Sequence, residues 1–277
     1  MFLVTGATGF VGSAVTRALA RKGTTVGIAR SPINIPGVDV LVHDLIDPLP
    51  ALEHLREARV VHCAAEIRST EWERHWRSNV LGMRNVLEWS VRHEARRMIF
   101  FSTGGVYGYQ HGRRMRENDA LLPFGFYGHT KHLAEQLCNS YASLFGVCMV
   151  IFRLYFPFGP DQKAGVFRLI EHAVRSGNRL QIKRNGAPQM TPVHIEDVVD
   201  AVELTLSTTL PDGTYNLCGD EVVSFLDLVR RYELRLGQAA RLDYTDEESG
   251  DMLGDNTALR RAGWVPRRTI DDFLAHI

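Results

Sequence analysis

From Phe2 onward the chain alternates short apolar, β-branched runs with longer segments whose apolar positions recur every three or four residues. Phe2–Thr5, Thr25–Ala29, Val38–Val42, Val60–Ala64, Met98–Ser102 and Val147–Arg153 read as strands. Their residues suit a pleated surface, and glycine, proline or polar clusters bound them. Phe10–Arg21, Glu71–His93 and Tyr127–Phe145 read as the helices between. The strand runs are apolar at nearly every position, which predicts burial on both faces. Alternation of that kind predicts an α/β fold, a doubly wound parallel sheet of Rossmann type with right-handed crossovers.

After Pro160 the rhythm changes. Val166–Ser176, Glu196–Leu206 and Phe225–Leu236 carry helical spacing, Leu180–Ile182 and Thr214–Cys218 read as short strands, and Asn185-Gly186 reads as a turn. The chain therefore divides into a first unit, residues 1–160, and a small C-terminal lobe, residues 161–277. No linker or repeat separates them, so we expect the lobe to be interleaved with the sheet.

Composition narrows the function. Thirty-two basic and thirty-two acidic side chains cancel in 277 residues, which removes the basic footprint of a nucleic-acid binder. No apolar run approaches the roughly 20 residues of a spanning helix, and Phe2-Leu3-Val4 leads straight into a glycine loop, leaving no room for a signal peptide. We expect a cytoplasmic protein with no membrane partner. The four cysteines, Cys63, Cys138, Cys148 and Cys218, form no CxxC pair and sit among apolar neighbours, so reduced core thiols are expected. His129 and His132 have no third ligand at metal spacing, so no metal site is expected.

Thr5-Gly6-Ala7-Thr8-Gly9-Phe10-Val11-Gly12 follows the first strand and opens the first helix. Gly6 allows a tight turn, Gly9 lets backbone approach a pyrophosphate, and Gly12 permits close packing of the helix. Thr8, Phe10 and Val11 complete the loop against a phosphate that meets the free N–H groups of the helix start. Residues 1–160 thus read as a dinucleotide-binding domain and 161–277 as a substrate-binding lobe. The second strand ends Ile28-Ala29-Arg30-Ser31, with no carboxylate to bond a ribose 2′-hydroxyl. Arg30 tilts the cofactor toward NADP(H), with NAD(H) the alternative.

Tyr127-Gly128-His129-Thr130-Lys131 places a phenol and an ammonium on one helix face. The chain has only four lysines, Lys22, Lys131, Lys163 and Lys183, so one at this spacing stands out. A nearby cation favours the phenolate, and we expect it to lower the Tyr127 pKa from about 10. Tyr127 then exchanges a proton with a carbonyl or alcohol oxygen, while Lys131 also bonds the nicotinamide ribose.

The glycine spacing is GxxGxxG, and TGATGFVG at 5–12 resembles the signature of the extended short-chain dehydrogenases/reductases, the nucleotide-sugar epimerases, dehydratases and reductases. His62-Cys63-Ala64-Ala65 is similar to that family's HxAA phrase, and Asn79-Val80-Leu81-Gly82-Met83-Arg84-Asn85 to its NVxGTxN helix. The resemblance implies cofactor contacts at Asp44 (adenine amino group), Leu45, Cys63, Ala64 and Ala65. It implies that Asn79 organises backbone around the site and that His62 is structural. Ser102-Thr103-Gly104-Gly105-Val106-Tyr107-Gly108 resembles the phrase in which a hydroxyl residue precedes VYG. Alignment puts Thr103 at the catalytic hydroxyl, steadying the reacting oxygen, with Ser102 the second candidate. In Arg153-Leu154-Tyr155-Phe156-Pro157-Phe158-Gly159-Pro160, similar to RxxNxxGP, Tyr155 and Pro157 border the nicotinamide.

Two positions depart from the pattern. Phe156 replaces an Asn that contacts a nucleotide-sugar phosphate, and Met190 replaces a diphosphate-binding Arg. Glu66, Arg68 and Trp72 follow the fourth strand, where relatives hold substrate, and Lys163, Arg168, Arg175 or Lys183 offer phosphate contacts from elsewhere. The resemblance implies an oxidoreductase reducing a keto group on a sugar-like small molecule, with Thr103, Tyr127 and Lys131 as its catalytic set. A nucleotide-sugar epimerase with retained NAD is the alternative, and a non-catalytic dinucleotide-binding sensor the further one. Relatives dimerise through helices corresponding to Glu71–His93 and Tyr127–Phe145; Trp72, Trp76 and Trp89 suit such a homodimer face, with packing into the chain's own core the alternative.

Overall fold

The computed structural model describes residues 1–207 and 210–277. Seven strands form one sheet: β1 (Phe2–Thr5), β2 (Thr25–Ala29), β3 (Asp39–Val42), β4 (Arg59–His62), β5 (Arg97–Thr103), β6 (Met149–Leu154) and β7 (Gly213–Leu217). Their spatial order is β7-β6-β5-β4-β1-β2-β3, and every pairing is parallel. Chain order reverses beside β1. Chain entering on β1 leaves toward β2 and β3, returns to β4, and opens a crevice at the carboxyl ends, where such sheets bind ligands.

The continuous apolar strands are explained by the two cores they separate. Phe2, Val4, Val61, Ile99 and Val150 face one layer, packed by α1 (Phe10–Ala20) and by Val198, Ala201 and Val202. Leu3, Val60, Met98 and Phe100 face the other, with Met83, Val86 and Leu87 against them. Successive residues point to opposite faces, so a strand between two cores needs apolar side chains at every position. Phe2–Thr5, Thr25–Ala29, Val166–Ser176 and Phe225–Leu236 keep the expected bounds, and the ends of the other expected strands and helices differ by one to a few residues.

The expected single helix over Glu71–His93 is divided. α2 (Trp72–His75) and α3 (Gly82–Arg92) are joined by a π turn, Trp76–Leu81. Apolar spacing does not reveal one wide turn in a helical path, and such turns recur at functional sites. Here it carries Ser78 to the crevice wall and buries Asn79. Of the two places open to Trp89 the structure gives the core: it is fully buried, stacks on His93 with centroids 4.0 Å apart, and donates to the Pro50 carbonyl at 3.1 Å. Cys63, Cys138, Cys148 and Cys218 are all free thiols, but Cys148 is exposed, against the expected core placement.

The residues after Pro160 build a separate apolar cluster around Phe158, Phe167, Ile170, Leu228 and Tyr232, and also supply β7 to the sheet. The closing stretch is tied down by one buried carboxylate. Asp197, on helix Ile195–Ser207, accepts from the Arg267 amide (3.0 Å), the Arg268 amide (3.1 Å) and the Arg268 guanidinium (2.8 Å). Its side chain is wholly buried, so removing it strands two amides, while the Arg268 guanidinium keeps Asp200 and Glu196 as partners. We expect Asp197→Ala to cost about 3 kcal/mol in urea denaturation, and Asp200→Ala, whose carboxylate is 38% exposed, to cost less than about 1 kcal/mol.

Candidate functional site

The glycine loop is dictated by backbone proximity. Gly6 has φ +69, and a Cβ there falls 2.7 Å from the Ala64 Cα on the neighbouring strand's extension. A Cβ on Gly12 falls 2.0 Å from the Gly6 carbonyl oxygen. The loop therefore closes down on itself and on Cys63–Ala64 only with glycine at both positions. Gly9 caps α1 with no side-chain cap bond and no acid in the first turn, so the helix's leading N–H groups remain available to an anion.

A cavity of about 590 Å³ starts at this loop and ends at Tyr127 and Lys131. Among the residues anticipated as cofactor contacts, Gly6, Thr8, Gly9, Phe10, Val11, Gly12, Arg30, Asp44, Leu45, Cys63, Ala64, Ala65, Ser102, Tyr155 and Pro157 line it, with Thr103 and Phe156 at the closed end. Arg68 sits at its junction with a larger cleft of about 1450 Å³, which Glu66 and Arg168 line. Arg168 is paired there with Glu171 at 2.9 Å and does not reach the groove. Asn79 also lies behind the wall. Its amide bonds both backbone groups of Glu66 (2.7 and 2.9 Å) and the Thr130 hydroxyl (3.0 Å), locking the loop after β4 to the helix that carries Thr130.

Helix α4 (Gly125–Phe145) carries Tyr127 and Lys131 one turn apart. Tyr127 stands beside the Thr103 hydroxyl, which accepts from the Gly105 amide at 3.1 Å. Burial pushes the Tyr127 phenol up to about 12, and the Thr103 hydroxyl offsets only part of this. The expected lowering by Lys131 is thus corrected: loss of water disfavours the phenolate, and the partial offset comes from Thr103. Lys131 is 2% exposed, with its ammonium 4.1 Å above the Phe100 ring. Burial lowers it to about 8, against partial opposition from Cys138, Glu135 and Cys63. His62, bonded to the Thr5 hydroxyl at 2.8 Å, is held neutral by burial and by Lys131, and burial drives the Cys63 thiol up to about 12.

Other assignments changed in detail. The Ser102 hydroxyl donates to Glu135 at 2.5 Å and serves the wall more than the groove. The Tyr155 ring occupies the space a Gly104 Cβ needs, 2.4 Å from its Cε1. Asp44 faces the groove while accepting from the Ile46 amide at 3.2 Å. Glu66 turns its carboxylate onto the Arg68 and Ser69 amides, which holds it below the usual carboxylate range. Phe156 holds φ +37, a left-handed conformation that costs on the order of 1 kcal/mol. Sequence reasoning missed Ile67, Gln162, Val166 and Met252, all on the groove wall. Ile67 adjoins phrases that were recognised; Met252 is brought in from the far end of the chain and carries no local signal.

A dinucleotide fits this lining. Glycine backbone and free N–H groups lie at one end, apolar walls in the middle, and a phenol, hydroxyl and ammonium at the other. A family model, "NAD dependent epimerase/dehydratase family", matches residues 2–218. The chain belongs to that family. Its members in hand are nicotinamide-dependent enzymes of the short-chain dehydrogenase/reductase superfamily, so this is an enzyme with a Rossmann-type fold. A Bacillus subtilis (strain 168) protein described as an uncharacterized UDP-glucose epimerase, YtcB, is 28% identical over 90% of this chain and 86% of its own. An Escherichia coli dTDP-4-dehydro-6-deoxyglucose reductase is 23% identical over 98% of this chain and 94% of its own. The solved structure of MoeE5 with UDP-glucuronic acid and NAD is 26% identical, superposes with a TM-score of 0.89, and covers 99% of this chain and 96% of that one. Among the described residues, no helix is long and apolar enough to cross a membrane, and no cluster has metal-ligating geometry.

The buried ammonium makes a stability prediction. The folded state disfavours protonated Lys131 below pH 8, while an unfolded lysine stays protonated to about pH 10.4. Its penalty is therefore full at neutral pH and fades between those values. Lys131→Met should stabilise the fold by up to about 3 kcal/mol at pH 7, with the advantage shrinking toward pH 10 in denaturant melts.

Proposed function

We propose that this chain is an NAD-dependent epimerase of a nucleotide-linked or otherwise derivatised sugar. In this reading one secondary alcohol carbon is oxidised and then reduced on its opposite face. The observation that carries the reading is the convergence of Tyr127, Thr103 and Lys131 on the closed end of one dinucleotide-sized groove. A bound nicotinamide supplies the hydride acceptor and donor. The protein's part is proton and charge management. Tyr127 takes the hydroxyl proton of the substrate as the carbon gives up its hydride, and returns it after the keto group has turned. The Thr103 hydroxyl steadies the reacting oxygen. Lys131 bonds the ribose and offsets the phenolate. The phenol's elevated pKa makes that cation necessary: with burial alone, Tyr127 has little phenolate at neutral pH.

The similarity to YtcB, described as an uncharacterized UDP-glucose epimerase, supports the epimerase reading, and that to MoeE5, solved with UDP-glucuronic acid and NAD, supports NAD as cofactor. One observation favours a second reading, an NADP(H)-dependent reductase of a keto sugar: Arg30 lines the groove where β2 ends, and Ile28–Ser31 contain no carboxylate. On either reading Glu66, Arg68 and Phe156 border the substrate, with Arg168 farther along the cleft. Exposed Trp72 and Phe126, in edge contact at 5.6 Å, support self-association through α2 and α4. Four unpaired cysteines support work in the cytoplasm.

Incubation with UDP-glucuronic acid or UDP-glucose deuterated at C4, followed by NMR, tests the assignment. The epimerase forms the C4 epimer with deuterium retained and no net accumulation of reduced cofactor. Net oxidation of NADPH with a keto sugar, and no epimer, transfers the assignment to the reductase. Tyr127→Phe should lower the rate by about 10²–10⁴ while leaving NADH binding within a fewfold, as read by fluorescence titration.

A further inference from the structure

Lys131 is the fourth residue before Glu135 on α4, and both are buried to 2% exposure. Side chains at that spacing are neighbours and ordinarily pair. Here they do not. Glu135 gives Oε1 to the Arg153 Nε (3.1 Å) and the Ser102 hydroxyl (2.5 Å), and Oε2 to the Arg153 Nη2 (2.8 Å). Arg153 in turn donates Nη1 to the Tyr107 hydroxyl at 2.7 Å and to the Glu117 carbonyl at 3.0 Å. The Tyr107 hydroxyl passes its proton to Asn216 at 2.9 Å. Every acceptor site of Glu135 that faces the sheet is filled from β5 and β6, and the carboxylate is turned away from its helix neighbour.

We propose that Glu135 and Arg153 are positioning residues for Lys131: Arg153 holds the Glu135 carboxylate so that the ammonium is left unpaired in the groove. Without Arg153, the nearest strong acceptor for a buried ammonium is its own helix neighbour one turn away, and an ion pair there withdraws Lys131 from any ligand. The pair also ties α4 to β5 at Ser102, next to Thr103, and so holds both halves of the catalytic set in register. The inference rests on the enzymatic reading above, since only a ligand in the groove benefits from a free ammonium. The other titratable groups facing Lys131 are His62 and Cys63 from β4, and Tyr127 and Cys138 on its own helix. His62 stays neutral and Cys63 and Cys138 stay protonated, leaving Glu135 as the charge that matters.

With four lysines in the chain, ¹³Cε-lysine labelling gives a spectrum in which Lys131 is assigned by its loss in Lys131→Met. In Arg153→Met the Lys131 midpoint should rise by about one pH unit or more, and NADH affinity at pH 7 should fall about tenfold, the loss of one charge-assisted hydrogen bond. Glu135→Gln/Arg153→Met should bring the midpoint back to its starting value or below and recover the affinity. Should Arg153→Met fail to fold in thermal melts, Ser102→Ala removes one donor from Glu135 and should move the midpoint upward by less. An unmoved midpoint in a folded single variant, or equal loss of affinity in single and double variants, overturns the proposal and leaves a structural ion pair. Moved midpoints in a protein that binds no NADH uphold the positioning role and overturn the enzymatic reading instead.

Discussion

The site is organised around a lysine ammonium kept out of water with no carboxylate to hold. Lys131 lies against an aromatic face at the end of a parallel sheet, and the fold gives it neither solvent nor an ion pair. Such an arrangement is unstable by itself and persists because two apolar cores on either side of the sheet fix α4 and the strands. Instability at a functional site, tolerated by a well-packed scaffold, is the usual form of the exchange between stability and activity. A cation in this state is poised to stabilise a phenolate or to donate to a ribose hydroxyl, both of which replace what the fold withholds.

The opposite end of the groove follows a different constraint, that of space. Gly6 and Gly12 bring three backbone segments into contact: the loop, the start of α1 and the extension of β4. Side chains there are excluded by sterics, so what faces a ligand is main-chain N–H. On the function proposed above the two ends divide the labour: one receives phosphate by geometry and dipole, the other carries the titratable chemistry. Phe156 and Met252 add apolar surface to the groove wall, and Arg30 and Arg68 join Lys131 as its cations.

How much of this was legible depended on whether the information is local. The glycine loop and Tyr127/Lys131 were readable because each is a short spacing within one turn or one loop, and the structure brings them to one cavity. Thr103 came from phrase alignment, and the structure sets it beside Tyr127. The ionisation of Tyr127 was misread because helix spacing reports a neighbour's charge and says nothing about lost water. Trp89 stayed open between partner and core for a related cause: an aromatic on an amphipathic helix looks the same toward both. Met252, Gln162 and the Glu135–Arg153 bond depend on contacts between residues far apart in the chain, and no single segment encodes them.

On the proposed function a reduced nicotinamide dinucleotide sits with its ribose against Lys131. Fluorescence titration of NADH against the wild-type chain and Lys131→Met tests it most directly. Saturable binding at one site per chain, weakened about tenfold or more in a Met variant that is folded and more stable, is the predicted result. Equal affinity in the two proteins, or no saturable binding in the wild type, contradicts it.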